Sequence, residues 1–141
     1  MPRKLACTDE DMRTFNRLVL SELIYRNPGI KLSDEEYRRL LVAIEAWYIA
    51  FTRYGDLPTE SKESLIRDYI VPVLRAHREE IARVTNFELS DEFLNCLPRL
   101  YRIPGSENFN ATEWRGREYF GWVGWERLFK EAEQLFKRLT E

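Results

Sequence analysis

Arginine carries most of the chemical latitude in this sequence: seventeen of its basic residues are Arg and five are Lys. A guanidinium grips carboxylates and phosphates through a two-pronged fork and stacks on aromatic rings, which an ammonium does not do. A biased genomic base composition would produce the same excess, so position must separate the two explanations. Nine basic residues stand four positions after an acid, as in Asp9–Arg13, Glu63–Arg67, Glu79–Arg83 and Glu113–Arg117. That order favours a pair along a helix and marks a solvated face. Arg75, Arg78, Arg99, Arg102 and Arg115 have no such partner. Arg75 and Arg78 are three apart and therefore neighbours on a helix, with Arg67 two turns earlier. Arg99 and Arg102 repeat the spacing beside Tyr101. Arg67, Arg75, Arg78, Arg99, Arg102 and Arg115 make a candidate track that would hold phosphates without reading bases. A plain solvated face has the same appearance.

Catalytic chemistry has no comparable foothold. There is no P-loop, no GxGxxG after a strand, no HExxH and no GxSxG. His77, the single histidine, falls among Ile66, Tyr69, Ile70 and Val73 on an apolar helix side and reads as a packed core residue. Paired acids such as Glu79–Glu80 and Asp91–Glu92 sit in first turns or beside arginines, where dipole and ion-pair roles account for them. Cys7 and Cys96 lie far apart, so with one histidine they form no zinc cluster and no disulfide framework; two buried thiols are expected. The expectation is a non-enzymatic protein with no cofactor and no metal.

The stretch from Trp114 to Phe129, WRGREYFGWVGWERLF, places six aromatic rings and three glycines in sixteen residues. Wound as one continuous helix, it puts Trp114, Gly121, Trp125, Leu128, Phe129, Ala132, Leu135, Phe136 and Leu139 on a single core face. Tyr119, Phe120 and Val123 fall on the side that turns polar further along. The first half of this helix is therefore apolar nearly all round and needs cover on two sides. Gly121 and Gly124 would let another backbone come close. Tyr119, Phe120 and Val123 are thus a candidate partner interface, to be covered by this chain or by another.

The elements that must position these residues are helical. Thr8 caps a first helix with acids in its opening turn, and the pattern runs to Arg26 before Asn-Pro-Gly breaks it. Ser33 and Glu36 form a capping box for a second helix that ends at Gly55. A third should run from residues 59–61 to about 84 with a kink or break at Pro72. Ser90 caps a short fourth segment disturbed by Pro98. Residues 104–112 read as the one substantial loop, and the last helix starts near Thr112. No segment alternates convincingly as a strand. The fold expected is all-α: one domain over 1–141, a bundle of about five helices with a proline-kinked third. A net charge of −2 and 44% hydrophobic content describe an ordinary folded protein, and no apolar run is long enough to span a bilayer. A soluble, cytoplasmic protein with no membrane partner is expected.

Small, all-helical, arginine-rich and without a catalytic motif, the chain resembles the small subunits of multisubunit CRISPR effector complexes, that of the type I-D Cascade above all. The residues that carry the likeness are Arg75, Arg78, Arg99, Arg102 and Arg115 with the two-sided aromatic helix. The resemblance implies a non-catalytic bundle that contacts copies of itself, other subunits and nucleic-acid backbone, either crRNA or single-stranded DNA. Rings near a basic track could also stack unpaired bases. A free-standing protein-binding module of inhibitor, immunity or adaptor type, acting through Tyr119, Phe120 and Val123, is the alternative from another class. A small-molecule site would instead require a closed pocket among Trp47, Tyr48, Trp122 and Trp125.

Overall fold

The computed structural model describes residues 1–102 and 107–141. Six helices form among these residues, and the all-α single bundle expected from the sequence is what the chain builds. Helix α1 covers 9–24; Thr8 Oγ1 accepts from the Asp11 amide at 3.1 Å, and one wide π turn interrupts it at Asn16–Leu20. Helix α2 (Asp34–Tyr54) opens on the complete Ser33–Glu36 capping box and stops at Gly55, whose φ of 87° suits glycine. This helix is central rather than one-sided. Tyr37, Leu40, Val42, Ala43, Ile44, Ala46 and Ile49 are all buried, although they point in every direction around its axis.

The third helix is irregular where proline should disturb it. Helix α3 covers 59–76 and contains a π turn at Ile66–Ile70 just ahead of Pro72, which has no N–H to close a normal turn. A second interruption was not legible in the sequence. His77, at φ −119° and ψ 23°, separates α3 from α4 (Arg78–Thr85). Helix α5 (Asp91–Leu100) is capped by Ser90, whose Oγ accepts from the Phe93 amide at 3.1 Å, and tolerates Pro98 in its last turn.

Helix α6 (Glu107–Leu139) corrects the expected loop over 104–112. Residues 103–106 lie outside those described, but 107–112 are helical. Asn108 and Phe109 explain the early start, since both are buried. The Asn108 side-chain amide donates to Asn16 Oδ1 at 2.6 Å, and the Phe109 ring centroid is 5.1 Å from that of Tyr48. The Tyr101 hydroxyl donates to the same Asn16 oxygen. At Gly121, φ is 75° and ψ 177°, so α6 is two legs rather than one rod. Trp125 consequently packs on Gly116, nine residues earlier, which a straight helix would hold about 13 Å away along its axis. The bend resets the helical phase. Phe109, Thr112, Gly116 and Phe120 turn inward from the first leg, and Trp125, Leu128, Ala132 and Leu135 from the second. Trp114, placed in the core by continuous winding, is instead 68% exposed.

The N-terminal segment is tied down twice. Strand β1 (Arg3–Lys4) pairs parallel with β2 (Phe87–Glu88), a two-residue ladder too short to show as alternation in sequence. Cys7 and Cys96 form a disulfide, which overturns the expectation of two free thiols. Their separation of 89 residues conceals a proximity that only the tertiary fold creates, and closing so long a loop restricts the unfolded chain by about 4–5 kcal/mol.

Candidate functional site

Helix α1 ends in a motif that turns its last side chains outward. Tyr25 caps the helix, and Arg26 follows in the left-handed region at φ 55°. The Arg26 amide donates to the Leu23 carbonyl at 3.1 Å and the Asn27 amide to that of Glu22 at 2.9 Å. This bond pair is the Schellman closure of a helix end, whose left-handed position usually belongs to glycine. An arginine there costs about 1 kcal/mol in steric strain. Asn27 then tightens the turn, its Oδ1 accepting from the Gly29 amide at 2.8 Å.

From that position Arg26 lies between two rings. Its guanidinium carbon is 4.2 Å from the Tyr119 centroid and 4.8 Å from that of Tyr37. Nη2 donates to the Leu32 carbonyl at 2.9 Å and to Asp34 Oδ1 at 3.2 Å, while Nη1 is buried with no hydrogen-bond partner. Tyr37 is buried and donates its hydroxyl to the Ile24 carbonyl at 2.6 Å; burial pushes that phenol up to about 12. Tyr119 meets Tyr37 edge-on at 5.4 Å, and its hydroxyl donates to Asp34, which holds the phenol above its ordinary value.

Arg115 forms the opposite wall. Its guanidinium lies 4.4 Å over the Tyr25 ring, Nη1 donates to Glu118 Oε2 at 3.2 Å, and Nε is buried without a partner. Tyr25, Arg26, Tyr37, Arg115, Glu118 and Tyr119 line one open cleft of about 320 Å³. Exposed rings flank it in sequence: Trp114 precedes Arg115, and Trp122 follows the bend with Arg117 stacked 4.6 Å from its centroid. Such a site can accept a planar group on its exposed tyrosines, Tyr25 and Tyr119, and an oxyanion at its guanidiniums.

The six arginines singled out in the sequence do not form one track. Arg75 and Arg78 do converge, but on a carboxylate: both reach Asp91 Oδ1, at 3.1 and 2.7 Å. The Arg78 hydrogen bond, then its charge, holds that carboxyl below the usual aspartate range. Arg67 pairs with adjacent Asp68 at 3.1 Å, and Arg102 folds back on the Tyr101 carbonyl at 2.7 Å. Arg99 is exposed and has no ion-pair partner among the described residues. Arg115 alone of the six reaches the cleft. The aromatic trio divides as well. Tyr119 meets Tyr37 of the same chain edge-on and Phe120 stacks on it, whereas Val123 is 65% exposed. Nor do Trp47, Tyr48, Trp122 and Trp125 enclose a pocket, because Trp122 is 68% exposed.

Sequence reasoning missed Tyr25, Arg26 and Tyr37 as site residues. The available signal was the run Tyr-Arg-Asn-Pro-Gly, where a helix must close on a residue other than glycine. His77 also differs from expectation. It is buried but held between two carboxylates, with Nδ1 2.7 Å from Glu80 and Nε2 2.9 Å from Glu36. Among the described residues no group of three or more His, Cys, Asp or Glu is placed to hold a metal, and no helix is long and apolar enough to cross a membrane.

Fold and site define the class: a six-helix, all-α domain with an arginine–tyrosine cleft where α1 meets the first leg of α6. No protein-family model, no curated protein and no solved structure matches the chain.

Proposed function

We propose that the protein is a non-catalytic binding module that holds single-stranded nucleic acid in the arginine–tyrosine cleft. It would act as a subunit of a larger nucleoprotein assembly, as the likeness to CRISPR effector small subunits implies. The observation that carries this reading is the pair of guanidiniums set over tyrosine rings along one open cleft. Single-strand binders combine these parts, with arginine at the phosphate and an aromatic face under the base. Asp34 and Glu118 offset part of the local charge, so stacking must supply much of the affinity.

Fluorescence anisotropy with a labelled oligo(dT) tests this. Two phosphate contacts on a single strand give a slope of log K against log salt of about −1.4. Absence of binding at low salt would overturn the reading. A protein-binding module is the second reading, favoured by Trp122 and Val123 at the Gly121 bend, which are 68% and 65% exposed. Its signature is a partner retained at high salt and lost in Trp122→Ala.

A further inference from the structure

His77 occupies the joint between α3 and α4 and faces a carboxylate with each ring nitrogen: Glu80 Oε1 at 2.7 Å from Nδ1 and Glu36 Oε2 at 2.9 Å from Nε2. A neutral imidazole has one N–H and one lone pair, so it satisfies only one of them. The imidazolium, with two N–H groups, satisfies both. The remaining oxygen of each carboxylate is engaged by backbone: Glu36 Oε1 accepts from the Ser33 amide at 2.9 Å, and Glu80 Oε2 from the Lys31 amide at 2.6 Å. Ser33, Glu36, His77, Glu80 and Lys31 thus close a ring around residues 31–33.

That segment is the one on which Arg26 rests. Arg26 Nη2 donates to the Leu32 carbonyl and to Asp34, on either side of Ser33. The loop is also seated on α4 at Gly29, where a Cβ would stand 2.6 Å from Val84 Cγ2. Anything that frees Lys31 and Ser33 from His77 loosens the support beneath one wall of the cleft.

We propose that His77 is a pH-dependent positioning residue for the arginine–tyrosine cleft: its imidazolium clamps residues 31–36 onto α4, and loss of its proton releases the segment that holds Arg26. The inference rests on the cleft being the binding site. The other charged groups around His77 are Arg75, Arg78, Glu79 and Arg83, which line the same surface hollow with Glu80. Arg75 and Arg78 are committed to Asp91, while Arg83 helps to hold the Glu80 carboxyl low. On the α2 side, Asp34 is engaged by Arg26 and Tyr119, and Glu35 by Arg38.

Burial works against the charged ring, but hydrogen bonds to Glu80 and Glu36 outweigh it and hold His77 above its ordinary 6.5. A raised histidine contributes fully below the unfolded value and ceases to contribute as pH rises through the folded one. The amide of Lys31 is the main cause of the low Glu80 value. Burial raises Glu36, and the Ser33 and His77 hydrogen bonds more than reverse it. Both carboxylates contribute above their unfolded 4.5 and cease to as pH falls through their folded values. The clamp is therefore firmest between about pH 4.5 and 6.5.

Because His77 is the single histidine, its ring signals in an NMR titration need no assignment. The titration should follow the His77 ring, the Gly29, Lys31 and Ser33 amides and the Arg26 side-chain Nε–H, from about pH 6 to 9. Those four signals should move with the His77 midpoint, and oligo(dT) binding at constant ionic strength should weaken severalfold over the same range. In His77→Gln the response should disappear, with affinity at the alkaline wild-type level. If His77→Gln does not fold, Glu80→Gln serves instead and should lower the His77 midpoint. Loop amides that ignore His77, or a wild-type pH response in His77→Gln, overturn the proposal. Amides and Arg26 that follow His77 in a protein that binds no oligonucleotide would uphold the clamp and remove the nucleic-acid reading alone.

Discussion

Arg75 and Arg78 converge on one carboxylate, whereas Arg26 and Arg115 sit over tyrosine rings, and the two pairs handle positive charge in different ways. Asp91 comes from the first turn of another helix, so the sequence around Arg75 and Arg78 gives no sign of it. To meet a phosphate, each of these arginines must exchange one oxyanion for another, which yields little in an exposed pair. Arg26 and Arg115 also have acidic neighbours, Asp34 and Glu118, yet each sits over a tyrosine ring as well. The stacked faces, more than the charge count, distinguish the cleft from the Asp91 cluster.

The largest expected effect comes from removing one pair and then the other. Arg26→Ala with Arg115→Ala should weaken oligo(dT) binding at least tenfold and bring the salt slope close to zero, about what two lost phosphate contacts imply. Arg75→Ala with Arg78→Ala should change it less than about twofold. The reverse ranking would transfer the site to α3 and α4. Next in size is the stacking. Tyr25→Leu removes an exposed ring that carries Arg115, and base stacking is worth about 1–3 kcal/mol, so a loss of about fivefold or more is expected with the salt slope kept. A smaller change, in the opposite direction, should follow Asp91→Asn. Freeing Arg75 and Arg78 adds two uncommitted cations, and a two- to threefold gain with a steeper slope is expected. A loss of binding would show that Asp91 orients them instead.

The same contrast explains which parts of the molecule were readable in sequence. Local signals worked where the partner is local. Ser33 and Glu36 are three residues apart and formed the expected capping box, and Pro72 disturbed its helix as its missing N–H requires. Signals failed where the partner is remote. Asp91 with Arg75, Glu36 with His77, and Cys7 with Cys96 are meetings that no periodicity encodes. The aromatic stretch failed for a different reason. Its three glycines are each able to carry a bend, and a helical wheel assumes that none does. Gly121 bends, Gly116 receives the Trp125 ring, and Gly124 faces Phe120, so one wheel became two and Trp114 moved from core to surface.

The smallest expected change is also the sharpest test of the comparison, because it separates strain from stacking. Arg26 holds the left-handed position of a Schellman closure at φ 55°, where glycine would incur no steric penalty. Arg26→Gly relieves about 1 kcal/mol of strain and gives back part of that through the greater freedom of the unfolded chain. It also removes the bonds to Leu32 and Asp34 and the cation–π contacts with Tyr37 and Tyr119, together about 1–2 kcal/mol at a partly exposed site. These contributions nearly cancel, so the thermal midpoint should shift by only a few degrees. Oligo(dT) binding, by contrast, should fall severalfold, because the Arg26 guanidinium is lost here as it is in the double alanine variant. Stability well above wild type with binding lost would mark Arg26 as a residue kept for the cleft at the expense of the fold. Stability several kcal/mol below wild type would instead make the arginine a structural keystone of the α1–α2 turn, and the cleft a by-product of that packing.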